Sequence, residues 1–287
     1  MKKNIDIQKI IGTIDKLPTL PYIVTTLNDL IRNPHTSASD IHKIIMKDQA
    51  LSSRILKLVN SAFYGFSERI SSVSHAIVIL GFNTVKNVAL TASVFDMFPK
   101  DKSADTLFDR QAYWLHSLAC AGTARLIATK VKLPSAEDIF VAGLMHDIGK
   151  LVLDQFVHEK FVEIVKVVHD RNILIKDAEE EILEGVNHSQ VGAWLATRWK
   201  LPTGLVQMIG LHHRPELADQ LMKPAACIHL ADILVRSLNI GTGGDNKMPM
   251  INKEAWESLG LSYKDIDEIM AAIEKELKET EAFLTEV

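Results

Sequence analysis

The eleven residues GLMHDIGKLVL, 143–153, set a histidine and an aspartate side by side in an otherwise apolar run. The apolar residues on both sides recur at spacings of three and four, which is typical of an α-helix with a buried face. An ionised carboxylate buried on such a face without compensation costs on the order of several kcal/mol. His146 and Asp147 therefore need a compensating partner, and they can reach one centre only where their helix frays or ends at Gly149.

The same helical spacing runs through most of the chain, and runs of period two are scarce. A first helix carries apolar residues between Ile23 and Ile31 and is stopped by the Asn33-Pro34 pair. A second helical segment follows Ser39 and Asp40, which are good N-cap types, and it breaks near Asp48. The pattern predicts an all-α protein built as a helical bundle.

Two polar stretches divide this helical pattern. The first, PKDKSADT at 99–106, contains helix breakers and predicts a boundary between an N-terminal part, 1–100, and a C-terminal part, 101–287. We expect the N-terminal helices to pack against the helical core of the C-terminal part. The second stretch is the loop GTGGDNKMPM at 241–250. After it, Ser262 and Asp265 form a favourable cap for an amphipathic helix over about 262–284.

Composition excludes several classes of function. The 287 residues are 47% hydrophobic and 24% charged, and the net charge of −4 offers no basic face of the kind that nucleic-acid binding requires. No apolar signal segment follows the N-terminal lysines, and no run approaches 18 uninterrupted apolar residues. Cys120 and Cys227 make a poor disulfide framework and fit a reducing compartment. We expect a soluble, cytoplasmic protein that binds neither membrane nor nucleic acid.

Further polar residues interrupt apolar helical patterns elsewhere in the chain. Together with the central pair they make five histidines and two aspartates: His116, His146, Asp147, His188, His212, His213 and Asp232. Neutral imidazoles cannot neutralise two carboxylates, whereas a divalent metal satisfies both residue types at once. The mixed nitrogen and oxygen set favours iron or manganese, with nickel or zinc as alternatives. Seven ligands exceed what one metal needs, so the set predicts two metals bridged by Asp147, with a hydroxide between them.

Taken singly, each of these residues also has a structural interpretation. His116 could be a core histidine hydrogen-bonded to a backbone carbonyl. The pair at 212–213 could be a solvated helix end. Asp232 could cap a neighbouring helix or form an ion pair with Arg236, one helical turn further on.

The neighbours of the seven residues leave similar alternatives open. Lys150 could be a favourable charge at a helix C-terminus. His229 could support the ligands from behind or simply lie in the core. Cys120, one turn after His116, is interpreted as a small core residue rather than a ligand.

The order of the seven residues resembles the ligand pattern of the HD superfamily of metal-dependent phosphohydrolases, in the extended form of the HD-GYP phosphodiesterases. Lys150 falls where the HDIGK motif of that group has its substrate-side lysine. The N-terminal half resembles a more specific relative, the HDOD domain, a bacterial signalling module. Its motifs, in chain order, are LPTLP (17–21), DQAL (48–51), NSAFYG (60–65), ISSVSHAI (70–77) and LGF (80–82). The resemblance covers about 17–235.

Two departures from these families bear on function. Gln49 replaces a proline that is usual in the HDOD motif, which is a local change. The segment RPELADQL, 214–221, lacks the acidic residue and the GYP sequence of the cyclic-di-GMP phosphodiesterases. Hydrolysis of cyclic-di-GMP is therefore not expected. Many HDOD domains have lost most of the HD ligands, whereas this chain keeps all seven positions.

The resemblance implies two alternative functions. The first is a regulatory protein of bacterial signal transduction that retains a dinuclear metal site and acts through a protein partner. The second is a phosphohydrolase that attacks a phosphomonoester, nucleotide or phosphodiester with the metal-bridging hydroxide. In the second case Asp147 and Lys150 are the candidate catalytic residues, and Lys150 and Arg214 would bind the phosphate. The sequence selects neither a substrate nor an oligomeric state.

Overall fold

The computed structural model describes residues 19–32, 35–60, 70–98, 108–134 and 136–286. Within these ranges the chain forms α-helices and two short 3₁₀ turns, and no strand. The all-α prediction is confirmed. The described residues divide into two compact units, one formed by residues up to 98 together with those from Glu274 onwards, and the other by residues 108–273. The predicted boundary at 99–106 lies outside the described residues.

The N-terminal unit contains four helices. They are α1 (Tyr22–Arg32), α2 (Ala38–Ile45), α3 (Gln49–Val59) and α4 (Val73–Met97). The long α4 packs against each of the three shorter helices. Its regular geometry is interrupted at Gly81, where φ is +77°, a conformation that glycine adopts without strain.

Capping residues explain where the short helices begin. The prediction that Ser39 or Asp40 caps α2 is wrong by two or three residues. The N-cap is Ser37, whose hydroxyl accepts from the Asp40 backbone N–H, while the Asp40 carboxylate accepts from the Ser37 N–H. This reciprocal pair is a capping box. The predicted break near Asp48 is confirmed, because Asp48 caps α3 by accepting from the Leu51 N–H.

Among the described residues, one helix is long and apolar enough to be a candidate membrane span. Over Val73–Phe95, α4 has the length and hydropathy to cross a bilayer, although 56% of this window is buried inside the protein. The sequence reasoning, which looked for uninterrupted apolar residues, did not single it out. Its burial against α1, α2 and α3 is the packing expected of a core helix.

The remaining helices belong to the second unit, apart from residues 274–286 at the end of the last helix, which belong to the first unit. They are α5 (Arg110–Lys130), α6 (Ala136–Met145), α7 (Ile148–Phe156), α8 (His158–Arg171), α9 (Ile175–Ile182), α10 (His188–Arg198), α11 (Thr203–Leu211), α12 (Met222–Ser237), α13 (Lys253–Leu259) and α14 (Tyr263–Glu286). The core of this unit is formed by α5 against α6 and α12, and by α10 against α7 and α11. The predicted cap of the last helix is confirmed, because the hydroxyl of Ser262 accepts from the Asp265 N–H.

Two glycines allow these helices to approach closely. A Cβ atom at Gly149 in α7 would lie 2.0 Å from the His188 carbonyl oxygen at the start of α10, so only glycine fits. A Cβ atom at Gly143 in α6 would lie 3.0 Å from the Ala121 Cα of α5. The close contacts bring the polar residues of four helices to one place.

Candidate metal centre

His146 and Asp147 occupy the junction between α6 and α7. Helix α6 ends at Met145 and α7 begins at Ile148, so the chain breaks at the pair itself. The expected break was placed at Gly149, which instead lies within α7 and serves the contact with α10. The His146 Nδ1 donates to the Gly143 carbonyl at 2.6 Å, which leaves its Nε2 facing the centre.

The Oδ2 atom of Asp147 faces one set of side chains, here called the Asp232 group: His116 from α5, His146, and Asp232 from α12. His146 Nε2 lies 3.3 Å and His116 Nε2 lies 3.9 Å from this oxygen. His116 Nε2 is also 3.1 Å from the Asp232 Oδ1 atom. Three helices thus place their polar atoms around one point.

The other oxygen of Asp147 faces the His213 group: His188 from α10 and the adjacent His212 and His213 after α11. His188 Nε2 lies 3.0 Å and His212 Nε2 lies 3.9 Å from Asp147 Oδ1. The Nε2 atoms of His213 and His188 are 2.8 Å apart. All seven predicted ligands therefore converge, and their role as ligands is a prediction that this geometry favours.

Several buried atoms in this cluster lack hydrogen-bond partners among the described residues. They are His146 Nε2, His212 Nε2 and Asp147 Oδ1. In both histidines the Nδ1 atom donates to a carbonyl, Gly143 or Ile209, so the Nε2 atom carries a lone pair. Buried acceptors of this kind are normally satisfied. A divalent cation accepts lone pairs from imidazole and carboxylate together, so the donor set fits a metal.

Electrostatics hold Asp147 and His212 in the form that binds a metal. Burial raises the pKa of Asp147, but His146, Lys150 and His188 outweigh it and hold this pKa well below its usual range. Burial lowers the pKa of His212 well below its usual range, and neighbouring histidines lower it further. The carboxylate is thus ionised and the imidazole neutral at pH 7, as metal binding requires.

The buried charges around the cluster do not balance. Four carboxylates, those of Asp147, Glu179, Asp232 and Asp245, face two cations, Lys150 and Arg236, and all six side chains are at most 8% exposed. When every histidine is neutral, the form in which imidazole binds a metal, the net charge is −2. Because unbalanced buried charge is strongly destabilising, this deficit also points to a bound cation.

Glu179 is a residue that the sequence reasoning missed. Its fully buried carboxylate accepts from both the backbone N–H and the Nδ1 of His188, at 2.8 Å and 2.6 Å. This contact fixes the imidazole so that Nε2 turns towards Asp147. A signal was present, since Glu179 falls on the apolar stripe with Ile175 and Ala178. However, Glu179 belongs to the acidic run EEE, 179–181, and such a run is typical of a solvent-exposed helix face.

Arg236 orients the carboxylate of Asp232. Its Nε donates to Asp232 Oδ1 at 2.7 Å, and another guanidinium nitrogen lies 2.9 Å from Asp245 Oδ1 in the loop after α12. Burial raises the pKa of Asp232, but Arg236 and His116 hold it well below its usual range. The ion pair with Arg236, which the sequence offered as an alternative to a ligand role for Asp232, is present together with the contact to His116.

The structure separates the two predicted phosphate-binding residues. Lys150 is fully buried, and its amino group donates to Asp147 Oδ2 at 2.5 Å and to the Gly243 carbonyl at 2.7 Å. Arg214 follows His213, but its side chain is exposed, and no hydrogen bond or ion pair of the described residues links it to the cluster. Of the two, only Lys150 lies within the centre.

Two further residues, His229 and Cys120, contact histidines of the cluster. The Nδ1 of His229 donates to the carbonyl of His212 at 3.0 Å, and its Nε2 accepts from the Asn252 N–H. It thus supports a predicted ligand from behind. Cys120 Sγ lies 3.5 Å from His116 Nε2.

A cavity of about 260 Å³ reaches His116 and is lined mainly by Arg236 and the 239–248 loop.

An all-α core with a buried His/Asp cluster at the break between two helices is the arrangement of HD-superfamily proteins. The chain belongs to the HDOD domain family, whose profile matches residues 17–215. The family predicted from the sequence is confirmed.

Several known proteins are similar to this chain. An uncharacterized protein of Treponema pallidum is 30% identical over 83% of the chain, which spans about half of that relative, 47% of its length. An HDOD domain protein of unknown function from Geobacter sulfurreducens has a solved structure that is 27% identical, with a TM-score of 0.76 over 94% of this chain and 96% of that one. A protein of Shewanella amazonensis, provisionally named a phosphohydrolase, shares the fold at 22% identity and a TM-score of 0.74, over 96% and 97% of the two chains.

Proposed function

We propose that this HDOD protein is a cytoplasmic regulatory module of bacterial signal transduction, with a buried dinuclear metal centre and an output through contact with a protein partner. The observation that carries the proposal is the closure of the centre. Six of the seven predicted ligands are at most 2% exposed; the side chain of His213 is partly exposed. A centre that is closed in this way suits structural support or ligand sensing better than turnover.

The position of Lys150 supports the same conclusion. A lysine that binds substrate must present its ammonium group to the phosphate, but this group is already bonded to Asp147 and to the Gly243 carbonyl. The loop that supplies this carbonyl closes over the centre, and it is tied down by the Asp245–Arg236 ion pair. Substrate could reach Lys150 only if that loop moved.

The arrangement of Asp147 supports two metals rather than one. Its Oδ2 faces the Asp232 group and its Oδ1 faces the His213 group, which is the geometry of a bridging carboxylate. Each group adds three side chains of its own. The two buried, unpaired cysteines fit a reducing cytoplasm.

A phosphohydrolase is the second candidate, and the cavity beside His116 favours it. Arg236 and Lys247 line this cavity, so it could accept an anionic group next to the Asp232 group. The metals, when bound, would activate water and stabilise charge on phosphate. Lys150 would hold positive charge beside Asp147, and the closed loop would exclude bulk water.

Metal analysis combined with an activity screen tests the choice between module and enzyme. The purified chain is reconstituted with iron, manganese or zinc and assayed with phosphomonoesters, nucleotides and linear and cyclic phosphodiesters. We expect about two metals per chain, a lower Tm after chelation, and no turnover at ordinary enzyme rates, above about 1 per second. Such turnover, abolished in a folded Asp147→Ala variant, would favour the enzyme.

A substitution of Lys150 distinguishes an effect on catalysis from an effect on metal binding. In an enzyme, Lys150→Met would reduce kcat while the metal content stays the same, whereas Lys166→Met, an exposed position on α8, would change neither. A wild-type chain that takes up no metal in any reconstitution would contradict the metal centre in both candidate functions.

A further inference from the structure

We propose that Cys120 is a metal ligand, completing a four-ligand set with His116, His146 and Asp232 that takes zinc or ferrous iron rather than manganese. The inference rests on the proposed metal centre and goes further, because it assigns a thiolate to one of the two metals. The sequence interpretation had placed Cys120 in the core as a small apolar residue. The surroundings of its sulfur atom lead to a different conclusion.

The position of Cys120 on α5 suits chelation. His116 and Cys120 are four residues apart and lie on the same face of the helix, the spacing with which paired histidines on one helix bind zinc. The Sγ–Nε2 distance is 3.5 Å. Ligands of tetrahedral zinc at 2.3 Å for sulfur and 2.0–2.1 Å for nitrogen are about 3.6 Å apart. The two side chains already have the separation that a shared metal would impose.

The other two members of the set face the same point. Ligand atoms of His116, Cys120, His146 and Asp232 all lie within 4.8 Å of one another, and all four residues are buried. His146 Nε2 is fully buried and has no hydrogen-bond partner among the described residues. This unpaired nitrogen indicates a ligand independently of the cysteine. One nitrogen from each histidine, one sulfur and one oxygen make four ligands of this group, and the bridging Asp147 carboxylate would be a fifth.

Cys227 shows what a cysteine without this role looks like. It is also fully buried, on α12. Among the described residues, however, it belongs to no group of clustered histidine, cysteine and acidic side chains. Burial raises its pKa to about 12. Cys227 is therefore a natural control for every measurement on Cys120.

Charge balance gives a third reason for a thiolate. The buried charged side chains around the centre sum to −2, so one divalent ion neutralises them and a second leaves an excess of +2. A thiolate at Cys120 removes half of this excess. A metal bound at this position would displace the thiol proton, because the thiolate is the form of cysteine that binds a metal.

The consequence is a centre with two unequal positions. The Asp232 group offers a soft thiolate, whereas the His213 group offers only imidazoles and the bridging carboxylate of Asp147. Thiolate ligands select zinc or iron, and manganese, the weakest binder of the first-row series, is disfavoured there. We therefore expect zinc or iron at the Asp232 group and broader selectivity at the His213 group.

Cobalt(II) is the probe that tests this assignment. The full chain is reconstituted with cobalt under reducing conditions, bound metal is measured by elemental analysis, and the absorption spectrum is recorded. We expect visible d–d bands together with a sulfur-to-cobalt charge-transfer band in the near ultraviolet. The charge-transfer band should be lost in Cys120→Ser and Cys120→Ala and kept in Cys227→Ser, while the His213 group still binds cobalt in all variants.

Zinc affinity supplies a second measurement. Loss of a partner behind a ligand typically weakens metal binding about 10- to 100-fold, so loss of the Cys120 ligand should weaken zinc binding at the tighter site by at least that factor. Cobalt that binds to the wild type without a charge-transfer band would overturn the Cys120 assignment and leave the metal centre intact. A band that persists in Cys120→Ala would do the same. No bound cobalt at all would contradict the centre itself.

Discussion

Replacing Glu179 with glutamine would test whether the carboxylate behind His188 tunes the metal centre. The substitution keeps the shape of the side chain and an oxygen acceptor but removes the negative charge. Glu179 Oε2 accepts two hydrogen bonds from His188, at 2.8 Å from the backbone N–H and 2.6 Å from Nδ1. Burial lowers the pKa of His188, but Glu179 and Asp147 together outweigh it and leave this pKa raised, so the Glu179 charge matters for the imidazole.

The size of the effect follows from the two contacts. A hydrogen bond to a charged group contributes about 1.5–3 kcal/mol and one between neutral groups about 1 kcal/mol, so neutralising one acceptor weakens each bond by roughly 1 kcal/mol. Loss of a partner behind a metal-binding histidine costs about 10- to 100-fold in metal affinity, or about 1.4–2.7 kcal/mol. Two hydrogen bonds weakened by roughly 1 kcal/mol each fall within this range of free energy. We therefore expect metal affinity to fall by about 30-fold.

Competition with a chelator of known affinity measures this loss for wild type, Glu179→Gln and Glu181→Gln. Glu181 lies two residues further along α9 and pairs with Arg171 on the surface, so its substitution should change affinity by less than a factor of two. Circular dichroism and urea unfolding establish that both variants are folded. Wild-type affinity in a folded Glu179→Gln variant would refute the role of this carboxylate.

Three further outcomes follow from the same packing and charge arguments. Asp147→Ala should lose metal at both groups, because one carboxylate faces both, and full metal occupancy in elemental analysis would contradict the bridging role. Gly149→Ala should lower the free energy of unfolding in urea by about 1–3 kcal/mol, because its Cβ would overlap a carbonyl. The control Gly204→Ala, where the nearest atom is 3.8 Å away, should be neutral or stabilising, and equal losses would count against the steric argument. Asp154→Ala should destabilise by about 3–5 kcal/mol, because it breaks a buried ion pair with Arg110, and a loss below about 1 kcal/mol would show that the pair is dispensable.

The helical pattern and the polar residues that interrupt it were predictable from the sequence. Helical periodicity identifies which residues share a face along one element, and an ionisable residue on an apolar face needs a partner. His116, His146, His188 and Asp232 were found in this way, and the structure brings them together around Asp147. The sequence also predicted that a helix breaks next to the His-Asp pair. It placed this break at Gly149, two residues after Asp147, whereas the structure has it at the pair itself.

Tertiary packing decided which atoms meet. The pairing of Glu179 with His188, nine residues away on another helix, depends on how α9 and α10 pack, and no spacing along the sequence records it. The same holds for Lys150, whose amino group bonds to the Gly243 carbonyl from a loop 93 residues further on.

Cys120 and Arg214 are two further residues whose surroundings the sequence pattern did not predict. A cysteine in an apolar helix has the pattern of a core residue, and only the position of His116 Nε2, 3.5 Å from its sulfur, makes it a candidate metal ligand. Arg214 follows two clustered histidines in sequence, yet its side chain is exposed. Periodicity along one helix fixes the face on which a side chain lies, whereas the atom it meets is set by contacts between helices distant in sequence.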